Sequence, residues 1–181
     1  MEAISPWVAR CAPWLGKGEV LDLACGGGRH ARFLAALGHP VLAVDRDAEA
    51  LLGAAGPGIT TLQFDLEDAA LAWPFAPGRF AGIVVTNYLH RPRFDALAAS
   101  LARDGLLIYE TFSSGNELFG KPSNPAFLLG EGELLARAQQ RGLRVLAFED
   151  GLLAAPKAAM VQRLCACGPD FQRMHARLDA I

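Results

Sequence analysis

One pattern repeats through the first two thirds of the chain: a short apolar run, a turn, and then a stretch with helical spacing. The apolar runs fall at residues 19–24, 41–45, 60–64, 80–86 and 106–110. Helical periodicity marks 29–37, 47–55, 93–103 and 131–141, and a loop rich in Pro and Gly fills 67–79. Short apolar runs alternating with helices predict a parallel sheet with helices on both faces. The end of the chain breaks the pattern. Runs at 143–149 and 160–166 follow one another with no helical stretch between them. A direct connection of that kind suits an antiparallel pair. The expected fold is therefore α/β: a Rossmann-like, doubly wound, mostly parallel seven-stranded sheet with a C-terminal antiparallel strand pair. A further short helix is expected at 5–11, capped by Ser5, with Pro6 in its first turn.

A length of 181 residues suits one domain spanning 1–181, with its core at about 18–167. The net charge of −2 supplies no basic field for a phosphate backbone, so a nucleic-acid partner is not expected. No apolar run is long enough to span a bilayer, and MEAISPWVAR lacks the basic start and apolar run of a signal peptide. These readings predict a cytoplasmic protein with no membrane partner. Cys11, Cys25, Cys165 and Cys167 lack zinc-ligand spacing, and no metal is expected. Cys165 and Cys167 are predicted to share one strand face as buried thiols.

The turn after the first strand carries the chemistry. VLDLACGGGR places Gly26, Gly27 and Gly28 where a strand gives way to a helix. Ligands of doubly wound sheets bind outside the carboxyl ends of the strands. Glycines there admit a ligand close to the backbone, and the helix start supplies N–H donors. Gly26-x-Gly28-x-x-Ala31 also satisfies a dinucleotide pattern, so the turn alone leaves a nicotinamide site open. Three acids narrow the choice. Asp22 lies within the first strand, where a ligand's amino group needs an acid and a pyrophosphate does not. Asp45 ends the second strand, where a carboxylate accepts from ribose hydroxyls. Asp65 ends the third strand, beside Leu66, where an adenine amine and ring nitrogen meet a carboxylate and a backbone N–H.

The runs LDLACGGGRH, VLAVD and FDLED resemble those of class I S-adenosylmethionine-dependent methyltransferases, and the compact glycine-to-arginine start is similar to that of the small tellurite-resistance-type members. The resemblance implies that S-adenosylmethionine is the cofactor. It places the methionine part on Asp22, Ala24, Cys25, Gly26, Gly28 and Arg29, the ribose on Asp45 with Arg46 beside it, and the adenine on Asp65 and Leu66. Thr86, ending the fourth strand, joins this cofactor set. Two departures stand out. Ala24 replaces the first glycine of the usual motif, a mild change if its φ is negative. Phe80 is followed by Ala81 and Gly82, where an acid is common.

On the acceptor side, Tyr88, His90 and Glu110 are the candidate catalytic residues, with Asn87 as a further substrate contact. Glu110 is read either as a pocket group or as the ion-pair partner of Arg91. The irregular segment 113–130, with Phe119 and Phe127, is expected to be a substrate lid or a structural plug. Methyl transfer from a sulfonium asks mainly for alignment and exclusion of water. The expected function is methyl transfer to a small-molecule acceptor. The alternatives are a non-catalytic S-adenosylmethionine-binding or regulatory module and a nicotinamide-dependent oxidoreductase.

Overall fold

The computed structural model describes residues 3–177. Residues 1–2 and 178–181 of the expected 1–181 domain lie outside the described residues. Helix α1 (Pro6–Cys11) starts at Ser5, whose Oγ accepts from the N–H groups of Trp7 and Val8. Strand β1 (Val20–Leu23) leads through the glycine turn into α2 (Arg29–Ala36). Strand β2 (Val41–Asp45) leads to α3 (Ala48–Ala54), capped by Asp47. Strand β3 (Ile59–Gln63) is followed by the non-helical loop and then by β4 (Phe80–Thr86). Next come α4 (Phe94–Ser100), β5 (Leu101–Phe112), α5 (Glu133–Gln140), β6 (Arg144–Leu153) and β7 (Ala159–Cys167).

The seven strands form one sheet in the order β3-β2-β1-β4-β5-β7-β6. Neighbours from β3 to β5 are parallel, and β7 runs antiparallel to both β5 and β6. Chain order reverses beside β1, so the carboxyl ends of β1 and β4 frame the crevice where such sheets bind ligands.

Alternation along each strand sorts side chains onto two cores. Leu21, Leu23, Ile83, Val85, Leu107 and Tyr109 pack against α4 and α5. Val20, Val84, Leu106, Ile108, Cys165 and Cys167 pack against Trp7, Val8 and Leu34 on the opposite face. The C-x-C pair therefore does share a face, and all four cysteines are free and buried. Among the described residues no helix is long and apolar enough to cross a membrane.

Two boundaries differ from expectation. The helix expected over 93–103 stops at Ser100, and Leu101 already pairs with Phe80 in the sheet. Backbone bonds from Gly168 to Gly105 (3.0 Å) and from Asp170 to Arg103 (2.9 Å) draw this segment into extended structure, and Arg103 bonds the Asp170 carboxylate. These partners lie more than sixty positions away, so helical periodicity loses to contacts that local sequence does not display. The third strand ends at Gln63, which leaves Asp65 in the loop beyond it.

Candidate functional site

Asp22 sits in the middle of the sheet, paired through its backbone register with Ala43 on β2 and Val84 on β4. It is 1% exposed, and its side chain shares the α2 side of the sheet with Val20 and Val84. Burial pushes its carboxyl up to about 7, against the Ala31 N–H hydrogen bond and the Arg29 charge, which pull it down. Its Oδ2 is buried with no hydrogen-bond partner in the protein. An orphaned carboxylate oxygen at this depth is costly unless a donor arrives.

The glycine turn wraps the end of β1. Asp45 accepts from Gly26 N–H at 2.8 Å and from Asp47 N–H at 3.0 Å, so it ties the turn to the start of α3. Gly26 has φ +52°, and a Cβ added there or at Gly27 would meet nothing within 4 Å. That side of the turn is open. Gly28 serves differently. It has φ +73°, and a Cβ would lie 2.4 Å from the Ala54 Cβ and 2.6 Å from its Cα. Gly28 thus lets the start of α2 pack on α3. Arg32 secures the same contact by donating to the carbonyls of Gly27 (2.6 Å) and Gly53. Ala24 adopts φ +54°, so the condition under which its replacement of glycine would be mild is not met. The left-handed region costs a non-glycine residue about 1–2 kcal/mol. Cys25 is buried, and its thiol is pushed up to about 12, chiefly by burial, so it stays protonated.

A cavity lies between these strand ends, walled by Ala24, Asp45 and Arg46 on one side and by Asp65, Leu66 and Tyr88 on the other. Five of the sequence-predicted cofactor residues meet there. Asp65 accepts from Glu67 N–H, which fixes a tight turn. Arg93 holds that loop by donating to the carbonyls of Leu66, Asp68 and Leu71 at 2.7–3.0 Å. Tyr88 forms the far wall. Its phenol is buried without a partner, and burial, with Glu67 and Asp65 nearby, keeps it protonated. Tyr88 lines this cavity beside the sequence-predicted cofactor residues and also borders a neighbouring one with Asn87 and Phe112.

The other candidates enter a buried chain of hydrogen bonds. Ser5 N–H donates to His30 Nε2 at 3.1 Å. That nitrogen must accept, so the ring proton lies on Nδ1, 3.3 Å from Thr86 Oγ1. Burial and the Arg29 charge lower the His30 pKa to about 4, consistent with a neutral ring. Ser5 Oγ donates to Glu110 Oε1 at 3.0 Å, and Arg163 Nε donates to Glu110 Oε2 at 2.5 Å. Arg163 also reaches Glu149. Glu110, Arg163 and Glu149 are direct register partners across β5, β7 and β6. Opposite charges at such positions attract.

This arrangement corrects the expected Glu110–Arg91 pair. Glu110 shares strand parity with Leu106 and Ile108 and faces the α1 side. Arg91 lies near α5, where it forms a two-pronged ion pair with Glu133 at 2.7 Å. It also donates to the carbonyls of Ala126 and Leu128, pinning the end of the 113–130 segment. The segment's start is held by Ser113 N–H to Met160 O and by Ser114 N–H to Leu129 O, both 2.9 Å. Its base is fixed, while Leu118, Phe119 and Phe127 remain exposed. His90 is half-buried before a 3-10 turn, and its side chain caps nothing. Sequence reasoning missed Ser5, His30, Arg93 and Arg163. Only the parity of Arg163 on its strand gave any signal of its place.

The site thus combines a Rossmann-like sheet, an open glycine turn, and carboxylates within β1, at the end of β2 and in the loop after β3. The methyltransferase domain family model matches residues 20–104. Among solved structures, TehB from Haemophilus influenzae aligns with a TM-score of 0.74 and 19% identity over 93% of this chain. The chain spans 63% of that protein's length. An S-adenosylmethionine-dependent methyltransferase from Mesorhizobium loti aligns at 0.70 and 18% identity, over 91% of this chain and 98% of the other. The 1,6-didemethyltoxoflavin-N1-methyltransferase of Burkholderia thailandensis, solved with 1,6-didemethyltoxoflavin and S-adenosylhomocysteine, aligns at 0.67 and 20% identity, over 92% and 78%. No curated protein matches by sequence. Residues 20–104 thus match a methyltransferase domain, and the chain shares the fold of S-adenosylmethionine-dependent methyltransferases.

Proposed function

We propose that the chain transfers the methyl group of S-adenosylmethionine to a small-molecule acceptor, with the cofactor held at the carboxyl ends of β1 and β2 and in the loop after β3. The observation that carries this reading is the buried, unpartnered Oδ2 of Asp22, with the open side of Gly26 nearby in the turn that follows its strand. A carboxylate so placed suits the ammonium of an amino-acid moiety. Asp45 keeps acceptor capacity after receiving two backbone N–H groups, enough for ribose hydroxyls. Asp65, Leu66 and Tyr88 bound a slot for a flat base.

When bound, S-adenosylmethionine supplies a sulfonium-activated methyl group, which leaves sulfur as the bond to the nucleophile forms. The protein's contribution is alignment and exclusion of water. The His30 ring, locked neutral between Ser5 and Thr86, orients the Thr86 hydroxyl at the end of β4. Glu110 is engaged by Arg163 and Ser5, which suits a positioning role better than that of a free base. The acidic net charge offers nucleic acid no footing.

Calorimetry with S-adenosylhomocysteine tests the site, and product formation across a panel of small acceptors tests the reaction. Binding without turnover on any acceptor would favour a regulatory module. Stabilisation by NADH in place of S-adenosylhomocysteine would favour an oxidoreductase.

A further inference from the structure

A second cavity of about 420 Å³ is lined in part by Arg29, which opens α2, and by Asn87, the chain neighbour of Tyr88 in the first cavity. Small-molecule sites usually measure about 300–1,000 Å³. Three segments remote in sequence wall it: residues 3–6, the stretch from Phe112 to Lys121, and the β6–β7 connection at 153–159. Phe112, Phe119, Leu153 and Val161 make its body apolar. Its charges are one-sided. Among the described residues Arg29, Lys121, Lys157 and Arg163 line it, against the single carboxylate of Glu110, which Arg163 already engages. Among the described residues neither Lys121 nor Lys157 has an ion-pair partner. A Cβ placed on Gly120 would lie 3.9 Å from Lys157 Nζ, so the hairpin lysine reaches across to the segment that bears Lys121. Both lysines are exposed, whereas Glu110 is buried. The cavity therefore runs from a cationic mouth to a buried polar floor, where Arg163 NH2 also lacks a partner.

We propose that this cavity is the acceptor site, and that it takes an apolar molecule carrying a carboxylate or similar anion, held at the mouth by Lys121 and Lys157, with its nucleophile directed inward towards Asn87. The proposal rests on the methyl-transfer reading and names the substrate class. A cationic acceptor would meet Lys121 and Lys157 as well as the sulfonium. A neutral one would leave the two lysines without a counter-charge in a mouth otherwise bounded by apolar side chains.

The test uses 4-phenylbutanoate, 4-phenylbutanamide and 4-phenylbutylamine, matched in shape and differing in charge. Their affinities are measured by NMR titration with and without saturating S-adenosylhomocysteine. Two exposed ion pairs should favour the carboxylate over the amide by about three- to tenfold, with the amine weakest, and added salt should shrink the gap. In the Lys121→Met, Lys157→Met double variant the carboxylate should bind no better than the amide, with affinity for S-adenosylhomocysteine unchanged. Equal binding of carboxylate and amide to the wild type overturns the proposal. So does a preference that survives the double substitution, or failure of every probe to bind a protein that binds S-adenosylhomocysteine. A carboxylate preference in a protein that binds no S-adenosylhomocysteine supports this site and refutes the cofactor reading instead.

Discussion

The two cavities of this protein are built in opposite ways. The proposed cofactor side is assembled from strand ends and the few residues that follow each one: Ala24 after β1, Asp45 and Arg46 at β2, Asp65 and Leu66 after β3. A parallel sheet brings the three together, Asp45 ties the first turn to the second strand, and Arg93 fixes the loop that carries Asp65 and Leu66. The acceptor side draws on residues 3–6, 112–121 and 153–163, which meet only when the N-terminal segment, β5 and the β6–β7 hairpin have packed. The first side rests directly on the central strands of the sheet. The second leaves exposed aromatic and cationic side chains at its mouth, where acceptor choice can vary while the cofactor frame stays fixed.

The comparison breaks most sharply at two glycines in one turn. Gly28→Val would drive a branched side chain into the backbone of Ala54 and hold a β-branched residue in left-handed space. Strain and overpacking together should cost about 2–5 kcal/mol, measured by urea unfolding. Gly26→Val meets open space but shares the left-handed strain at φ +52°, about 1–2 kcal/mol, so it should destabilise the fold less than Gly28→Val, keep the circular dichroism spectrum and abolish S-adenosylhomocysteine binding. If the Gly26 variant binds normally, the turn does not face the cofactor.

Next in size is Asp45→Ala. Loss of the acceptor for two hydroxyls should weaken S-adenosylhomocysteine by at least about tenfold, since each charge-assisted bond is worth about 1.5–3 kcal/mol at most. Because Asp45 also receives Gly26 and Asp47 N–H groups, a small drop in melting temperature should accompany it. Unchanged affinity in calorimetry would remove Asp45 from the site.

Asp22 gives a pH signature. Its carboxyl is raised from 3.8 to about 7 in the folded protein, so between those values the folded state holds a proton that the unfolded state has lost. Without ligand, this group's contribution therefore favours folding below about pH 4 and diminishes as pH rises through about 7. Ligand binding should follow the reverse trend, because an ammonium needs the carboxylate. Affinity should fall by up to about tenfold per unit as pH drops below about 7, and Asp22→Asn should bind weakly with a flat profile. An equally steep profile in the Asn variant would assign the titration elsewhere.

The smallest effect concerns the acceptor side alone. Arg91→Ala should loosen the end of the 113–130 segment, speeding hydrogen exchange around Leu128 and raising acceptor KM several-fold, with cofactor affinity preserved. In the wild type, acceptor and S-adenosylhomocysteine together should slow exchange at 117–127, where the segment is exposed, more than at its pinned base. Glu133, lowered to about 2 mainly by its Arg91 hydrogen bonds, lends stability that is fully present above about pH 4.5 and is lost as pH falls towards 2. The Arg91 variant should weaken that dependence, with the Gly130 and Arg137 bonds to Glu133 keeping the remainder. Cofactor affinity falling in step with acceptor KM would show that the segment is a structural plug serving both cavities.

By itself, the sequence determined the sheet, its closing antiparallel pair and the cluster of groups around Asp22, Asp45 and Asp65. Apolar periodicity specifies which face of an element is buried, and a motif at a strand end travels with its strand. Only the tertiary structure decided the rest. It set Ala24 at positive φ, because the turn closes between Val44 and α2. It ended α4 at Ser100, because residues 168–170 offered β5 better partners than helix formation did. It turned Glu110 to Arg163 and Arg91 to Glu133, because strand parity points Glu110 to the α1 side whereas Arg91, in the 3-10 turn after β4, reaches α5. It joined Ser5 to His30 across 25 positions and Lys121 to the mouth shared with Lys157. Such pairings depend on the register of distant strands, which no local window of sequence contains, and they make up most of the acceptor side.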